Sequence, residues 1–89
     1  MKLNTYHIEV TDTFGGEANY GWRREYRVRA RTMRGAIHVL ARKDIAGWSK
    51  SYGESFDNAC YNLRGVCVCC FVTYVDPGES IHADVPFIN

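Results

Sequence analysis

The chain lacks the features of a membrane protein and of a disulfide-stapled secreted protein. No apolar stretch in its 89 residues approaches the ~20 that span a membrane, and no apolar run of secretory length follows Met1. Three of its four cysteines crowd into residues 67–70, which is poor spacing for a disulfide framework. We therefore expect a reduced, cytoplasmic protein that has no membrane partner.

Motifs of catalysis and cofactor binding are also missing. Gly15-Gly16 lacks the frame of a phosphate-binding loop, and no G-x-S-x-G nucleophile motif occurs. The three histidines are scattered, and the cysteines do not form the paired knuckles on turns that hold zinc. We predict no enzymatic activity, no cofactor and no metal, with the cysteines packed as small hydrophobic residues. A metal-binding or redox role for the cysteines is the alternative.

Basic residues are scarce in the second half of the chain. Residues 1–50 contain ten Lys and Arg against five Asp and Glu, whereas residues 51–89 contain one against five. The formal net charge of the whole chain is only +1. This asymmetry indicates either an interaction surface or two halves that neutralise each other once folded.

Two segments near the N-terminus alternate between apolar and polar residues, which predicts half-buried strands. The first covers residues 5–12. The second covers residues 22–31 and has apolar side chains on one face and arginines on the other, with Arg24 as the exception. Residues 13–21 are rich in glycine and predict a long, mobile loop that joins the strands into an antiparallel hairpin.

The period of the apolar residues then changes to that of a helix. Thr32 is a favourable N-cap, and apolar residues recur with helical spacing from Met33 to Ala41. Gly35 lowers the stability of the first turn and permits close packing on a strand. Gly47 is predicted to end the helix.

The rest of the chain predicts one clear strand. Residues 49–58 are polar and read mostly as a loop, and a short helical turn is compatible with residues 55–63. Residues 66–75 are almost all apolar or small, which is typical of a buried strand. Residues 81–87 alternate again and allow a further strand, for which Pro86 suits an edge position.

These elements predict a single α+β domain over residues 1–89. Its expected form is a small antiparallel sheet of three or four strands with one helix packed on one face, in the order β-β-α-β with an optional fourth edge strand. A right-handed crossover through the helix places the first strand in the centre, between the arginine strand and the cysteine-rich strand. The arginine strand is then an edge strand, where its charges also oppose self-pairing.

The arginine strand and its neighbouring aromatic residues are the candidate binding site. Aromatic residues and arginine are the types enriched at interface centres. The site residues are Arg23, Arg27, Arg29, Arg31, Tyr20, Trp22 and Phe14. The structural alternative is a solvated edge whose arginines pair with local acids such as Glu9 and Glu25.

Three kinds of partner are compatible with this site. A protein or nucleoprotein complex with an acidic surface is the leading one. Direct binding of RNA or DNA by the same arginines is the runner-up, although the sequence has no recognised RNA-binding aromatic motif. A second copy of the chain is the third, because an edge strand can also form a homodimer.

In size and in element order the chain resembles the small anti-CRISPR proteins of phages and mobile elements. The segments T-Y-H-I-E-V-T-D and R-A-R-T-M-R-G-A-I-H-V-L carry the likeness. The resemblance implies an inhibitor that docks on a Cas complex and blocks nucleic-acid binding or nuclease recruitment. Many members of that family are acidic mimics of nucleic acid, whereas this chain is slightly basic. The resemblance therefore implies docking on acidic protein or on bound RNA.

Overall fold

The structure, a computed structural model, describes residues 3–14, 17–44, 46–50, 58–63, 66–78 and 83–89, with the backbone alone at Phe14, Glu17, Lys50 and Asn58. Its elements are β1 (Asn4–Phe14), β2 (Glu17–Ala30), α1 (Met33–Lys43), β3 (Trp48–Lys50), β4 (Asn58–Leu63) and β5 (Val68–Val75). The strands form one antiparallel sheet in the order β2-β1-β5-β4-β3. The predicted α+β class is confirmed, but the described residues form five strands where three or four were expected.

β1 lies in the interior of the sheet between β2 and β5, as predicted. Its alternation separates two faces, because Tyr6, Ile8 and Val10 are buried in the main core. His7 and Thr11 lie on the opposite face and are also buried. That opposite face, which we call the open face, carries most of the charged side chains of β2.

The helix begins where its sequence signals predicted. The hydroxyl of Thr32 accepts a hydrogen bond from the N–H of Gly35 at 3.0 Å, so the N-cap is confirmed. A Cβ at Gly35 would lie 3.4 Å from the Cβ of Ala30, which shows how closely the first turn packs on β2. Leu40 is the centre of the buried stripe of α1 and has no exposed surface.

The helix ends earlier than predicted. It stops at Lys43, and the N–H of Asp44 donates to the carbonyl of Leu40 at 2.8 Å. Gly47 lies in the connection to β3 with a φ of +103°, so its left-handed backbone shapes that connection and does not cap the helix. No helix among the described residues has the length and apolar content needed to cross a membrane.

The hairpin between β1 and β2 is tighter than predicted. β1 continues to Phe14 and β2 begins at Glu17, so the predicted loop over residues 13–21 is wrong for most of its length. The register shifts between Thr11 and Thr13, where β2 carries extra residues. Asn19 and Gly21 therefore mark a β-bulge within the hairpin, and not a loop.

Two predictions for the C-terminal half also need correction. Residues 58–63 form strand β4, so the short helical turn allowed over residues 55–63 is wrong there. Ala59, Tyr61 and Leu63 alternate with two asparagines and a cysteine, and this period-2 pattern is the signal that was missed. Strand β5 begins at Val68, two residues later than predicted.

The C-terminal segment runs beside β2, but it does not form the strand allowed over residues 81–87 in the part that the structure describes, residues 83–87. Phe87 forms an isolated parallel bridge with Arg27 of β2. The N–H of Arg27 donates to the carbonyl of Pro86 at 2.9 Å, and the N–H of Ile88 donates to the carbonyl of Arg27 at 3.1 Å. Pro86 thus lies at an edge, as its missing N–H requires.

Candidate functional site

A β-bulge positions the aromatic residues of the candidate site, and Asp12 of β1 holds that bulge. The carboxylate of Asp12 accepts hydrogen bonds from the N–H of Gly21 at 2.7 Å and from the side-chain amide of Asn19 at 2.9 Å. The N–H of Trp22 is a third donor at 3.4 Å. The Asn19 amide is the largest of the causes that hold the pKa of Asp12 below its ordinary value.

The bulge requires a special backbone at two positions. Tyr20 has a φ of +56°, which is uncommon for a residue other than glycine. A Cβ at Gly21 would lie 3.0 Å from an oxygen of Asp12, so a side chain there would push the carboxylate away. The local chemistry of β2 therefore fixes the direction in which the neighbouring aromatic side chains leave the strand.

Tyr20 and Trp22 are both exposed, at 54% and 43%. They lie on strand β2, which corrects the expectation that Tyr20 belongs to a mobile loop. Partial burial, followed by the negative charge of Glu9, raises the pKa of the Tyr20 hydroxyl. Tyr20 therefore lies close to Glu9. Glu9 is on the open face of β1, together with His7 and Thr11.

Phe14 is the last residue of β1, with its backbone paired to Glu17 across the tight hairpin. The expectation that Phe14 lies in a loop is therefore wrong. The predicted role of its side chain lies outside the described part of the structure.

The arginines of β2 are divided among different surroundings. Arg23 lies 3.3 Å from the carboxylate of Glu9, and its side chain stays 54% exposed. Arg24, the exception in the alternation, faces the helix side, where it lies 3.8 Å from Asp44. The hydroxyl of Tyr26 donates to the same carboxylate, so Asp44 at the end of α1 connects the helix to β2.

Arg27 and Arg29 contact the C-terminal segment. Their guanidinium groups lie over the ring of Phe87 at 4.2 Å and 4.6 Å from its centroid. Arg27 also donates to the carbonyls of Val85 and Ala83. The half-buried Arg27 thus anchors the tail, whereas Arg29 remains exposed.

Asn89 completes the attachment of the tail to β2. Its side-chain amide accepts from the N–H of Arg29 at 3.1 Å and donates to the carbonyl of Arg29 at 2.6 Å. The side-chain amide of Asn89 thus bonds to the backbone of Arg29 in the way that the backbone of a neighbouring strand residue would. Sequence reasoning missed this contact, because no local pattern connects Asn89 to a residue sixty positions earlier.

Arg31 follows the end of β2 and is exposed. No acidic side chain among the described residues forms an ion pair with it. Arg31 is therefore the candidate arginine whose charge has least internal compensation. We call the exposed set, Tyr20, Trp22, Arg23, Arg29 and Arg31, the arginine edge.

Acidic side chains of β1 and β2 compensate part of the positive charge, as expected if this surface is a solvated edge whose arginines pair with local acids. Glu9 pairs with Arg23, and Glu25 lies 3.0 Å from the imidazole of His7. The alternative thus holds for Arg23, and the tail occupies Arg27. The charge of Arg29 and Arg31 remains available to a partner.

The cysteines lie in strands β4 and β5 and in the bend before β5. Cys70 is fully buried and Cys69 nearly so, whereas Cys67 is exposed. Burial is the main cause that raises the pKa of Cys69 to about 11, and it raises the pKa of Cys70 further. Among the described residues, no group of three metal-ligating side chains comes together.

Comparison of the chain with protein-family models, with curated proteins and with solved structures finds no match.

Proposed function

We propose that this protein is a non-enzymatic binding module that docks on a macromolecular partner through the arginine edge. One observation carries the proposal: two exposed aromatic side chains and three exposed arginines lie along edge strand β2 and at the residue that follows it. Tyr, Trp and Arg are the residue types that contribute most to binding energy at protein interfaces.

The rigidity of the bulge supports this proposal. A partner that binds a mobile loop must offset the entropy lost when the loop is ordered. Asp12 already fixes the backbone of Gly21 and Trp22 through hydrogen bonds. Tyr20 and Trp22 are therefore presented in a preorganised way, which lowers the free-energy cost of docking.

The charge of the edge defines the chemistry of the partner. Arg29 near the end of β2 and Arg31 just beyond it are exposed, and guanidinium groups bind carboxylates and phosphates in a bidentate way. The partner is therefore an acidic protein surface or the RNA-bearing surface of a nucleoprotein complex. The resemblance to anti-CRISPR proteins adds a specific prediction, which is docking on a Cas complex.

Two charge-matched variants test the proposal. Arg29→Gln with Arg31→Gln removes two charges from the arginine edge, and Arg42→Gln with Lys43→Gln removes two from the exposed end of α1. In affinity capture from host lysate, the first variant should recover about tenfold less partner and the second should match wild type. Equal recovery by the two variants would exclude the arginine edge as the site.

Direct nucleic-acid binding is the second candidate function. The observation that favours it is the exposure of Tyr20 and Trp22 beside arginines, because bases stack on aromatic rings while phosphates bind guanidinium groups. Fluorescence anisotropy with labelled single-stranded RNA and DNA tests it. Direct binding predicts a steep fall in affinity with rising salt, since phosphate contacts release counterions.

A further inference from the structure

One helix cannot cover a sheet of five strands. Strands about 4.8 Å apart place roughly 19 Å between the outer two, whereas a helix with its side chains is about 10 Å wide. Helix α1 packs mainly against β2 and β5. Strands β4 and β3, at the far edge from β2, therefore extend beyond the helix on its own side of the sheet.

A cavity of about 350 Å³ lies where the helix stops covering the sheet. Strands β3 and β4 contribute the aromatic side chains of Trp48 and Tyr61. Gly47 precedes Trp48 with a left-handed backbone, and a Cβ there would lie 3.4 Å from Leu63. The left-handed backbone of Gly47 thus disfavours any other residue at this point of the lining.

Helix α1 forms the opposite wall and contributes its polar groups. Ile37 is buried, whereas Arg34 and His38, four residues apart on the helix, are exposed. No acidic side chain among the described residues pairs with Arg34. An uncompensated guanidinium therefore stands beside two aromatic rings.

We propose that this cavity, the helix-edge pocket, binds a small planar aromatic molecule that carries a carboxylate. The ring of Trp48 contacts the flat face of the ligand, and the buried ring of Tyr61 forms part of the wall. Arg34 binds the carboxylate through charge-assisted hydrogen bonds, with His38 as a further polar contact. A cavity of about 150 Å³ holds one benzene ring, so the larger volume here suits a two-ring compound.

This proposal is independent of the arginine edge. The helix-edge pocket lies at the β3 side of the sheet, and β2 forms the opposite edge. Failure of one assignment therefore leaves the other unaffected, and the two can be tested on the same preparation.

The test uses the full chain, labelled with ¹⁵N, and two isosteric probes. Indole-3-acetate carries the charge, and indole-3-acetamide is its neutral counterpart. The indole N–H resonance of Trp48 reports on the pocket, and that of Trp22 on the distant bulge is the internal control. We expect saturable shifts of Trp48 alone, with the acetate binding about tenfold more tightly than the amide.

Two variants test whether Arg34 is the group that binds the carboxylate of the ligand. Arg34→Gln should reduce the affinity for the acetate to that for the amide, whereas Arg42→Gln on the same helix should leave it unchanged. The backbone amide spectrum reports whether each variant is folded. Equal affinity of wild type for the two probes overturns the proposal, and so does an unmoved Trp48 at about 5 mM acetate.

Discussion

Asp12 illustrates how one carboxylate can determine the geometry of a binding surface. Its carboxylate accepts hydrogen bonds from three donors in residues 19–22 of β2. Asp12 itself belongs to β1, which is paired with β2 on one side and with β5 on the other. The aromatic residues of the arginine edge therefore depend on an acid in the neighbouring strand. In sequence, Asp12 looked like the end of a strand, because its partners lie seven to ten residues away.

Replacing Asp12 tests this role through its pH dependence. The folded state lowers the pKa of Asp12 from 3.8, so its stabilisation is complete above that value and is lost as the pH falls through the folded pKa. Asp12→Asn should therefore be less stable than wild type at neutral pH, and the difference should shrink under strong acid. Thermal unfolding from neutral to acidic pH measures this.

Asp84→Asn is the matched control for Asp12, because Asp84 is an exposed acid in the C-terminal segment. It should unfold like wild type across the pH range. A gap between wild type and Asp12→Asn that stays constant into strong acid would contradict the assigned role of the carboxylate.

The burial of the cysteines predicts the order in which their thiols react. The thiolate is the reactive form of cysteine, and burial disfavours it. Cys67 should react with a thiol reagent in the native protein at mildly alkaline pH, whereas Cys69 and Cys70 should react only after denaturation. Peptide mapping after brief labelling gives the order, and native labelling of Cys70 as fast as Cys67 would refute it.

At the scale of elements, helix α1 and strand β1 follow local rules. The period-3.6 pattern after Thr32 and the period-2 pattern before Asp12 each reflect one face buried in the same core. Strand β4 follows the same period-2 rule, but the pattern was missed because its six residues carry two asparagines and lie in a polar stretch. Ala59 and Tyr61 of β4 are buried in the core after folding, which local composition does not report.

The N-cap of α1 offers a test of the helix. Thr32→Ala removes the acceptor for the N–H of Gly35 and should lower the free energy of unfolding by about 1 kcal/mol. Thr32→Ser keeps the hydroxyl and should recover most of that loss. Urea denaturation measures both variants, and equal stabilities for the serine and alanine variants would show that the cap contributes nothing.

The C-terminal segment protects part of the β2 edge. Phe87→Ala removes the ring beneath two guanidinium groups and should cost about 1 kcal/mol. The amide of Arg27, which donates to Pro86, should then exchange its hydrogen faster. Phe87→Trp preserves the ring and should keep exchange slow. An unchanged exchange rate of the Arg27 amide in the alanine variant would show that Phe87 does not hold the tail.

At the scale of the molecule, the sequence predicts the neighbouring order β2-β1-β5 and a helix packed on one face of the sheet. It does so because alternation and handedness are local or general properties. The roles of the arginines were predictable only for Arg23, whose partner Glu9 was expected, since Asp44 and Phe87 reach the other arginines only after folding. Arg23, Arg24 and Arg27 thus make structural contacts, and the exposed Arg29 and Arg31 support the proposed interface.

The measurement that tests the central proposal most directly is capture of the partner from host lysate with and without nuclease treatment. We expect a defined protein complex that remains bound to the wild-type chain after nuclease treatment. Recovery of nucleic acid alone, lost on nuclease treatment and at high salt, would contradict it and identify direct nucleic-acid binding as the function.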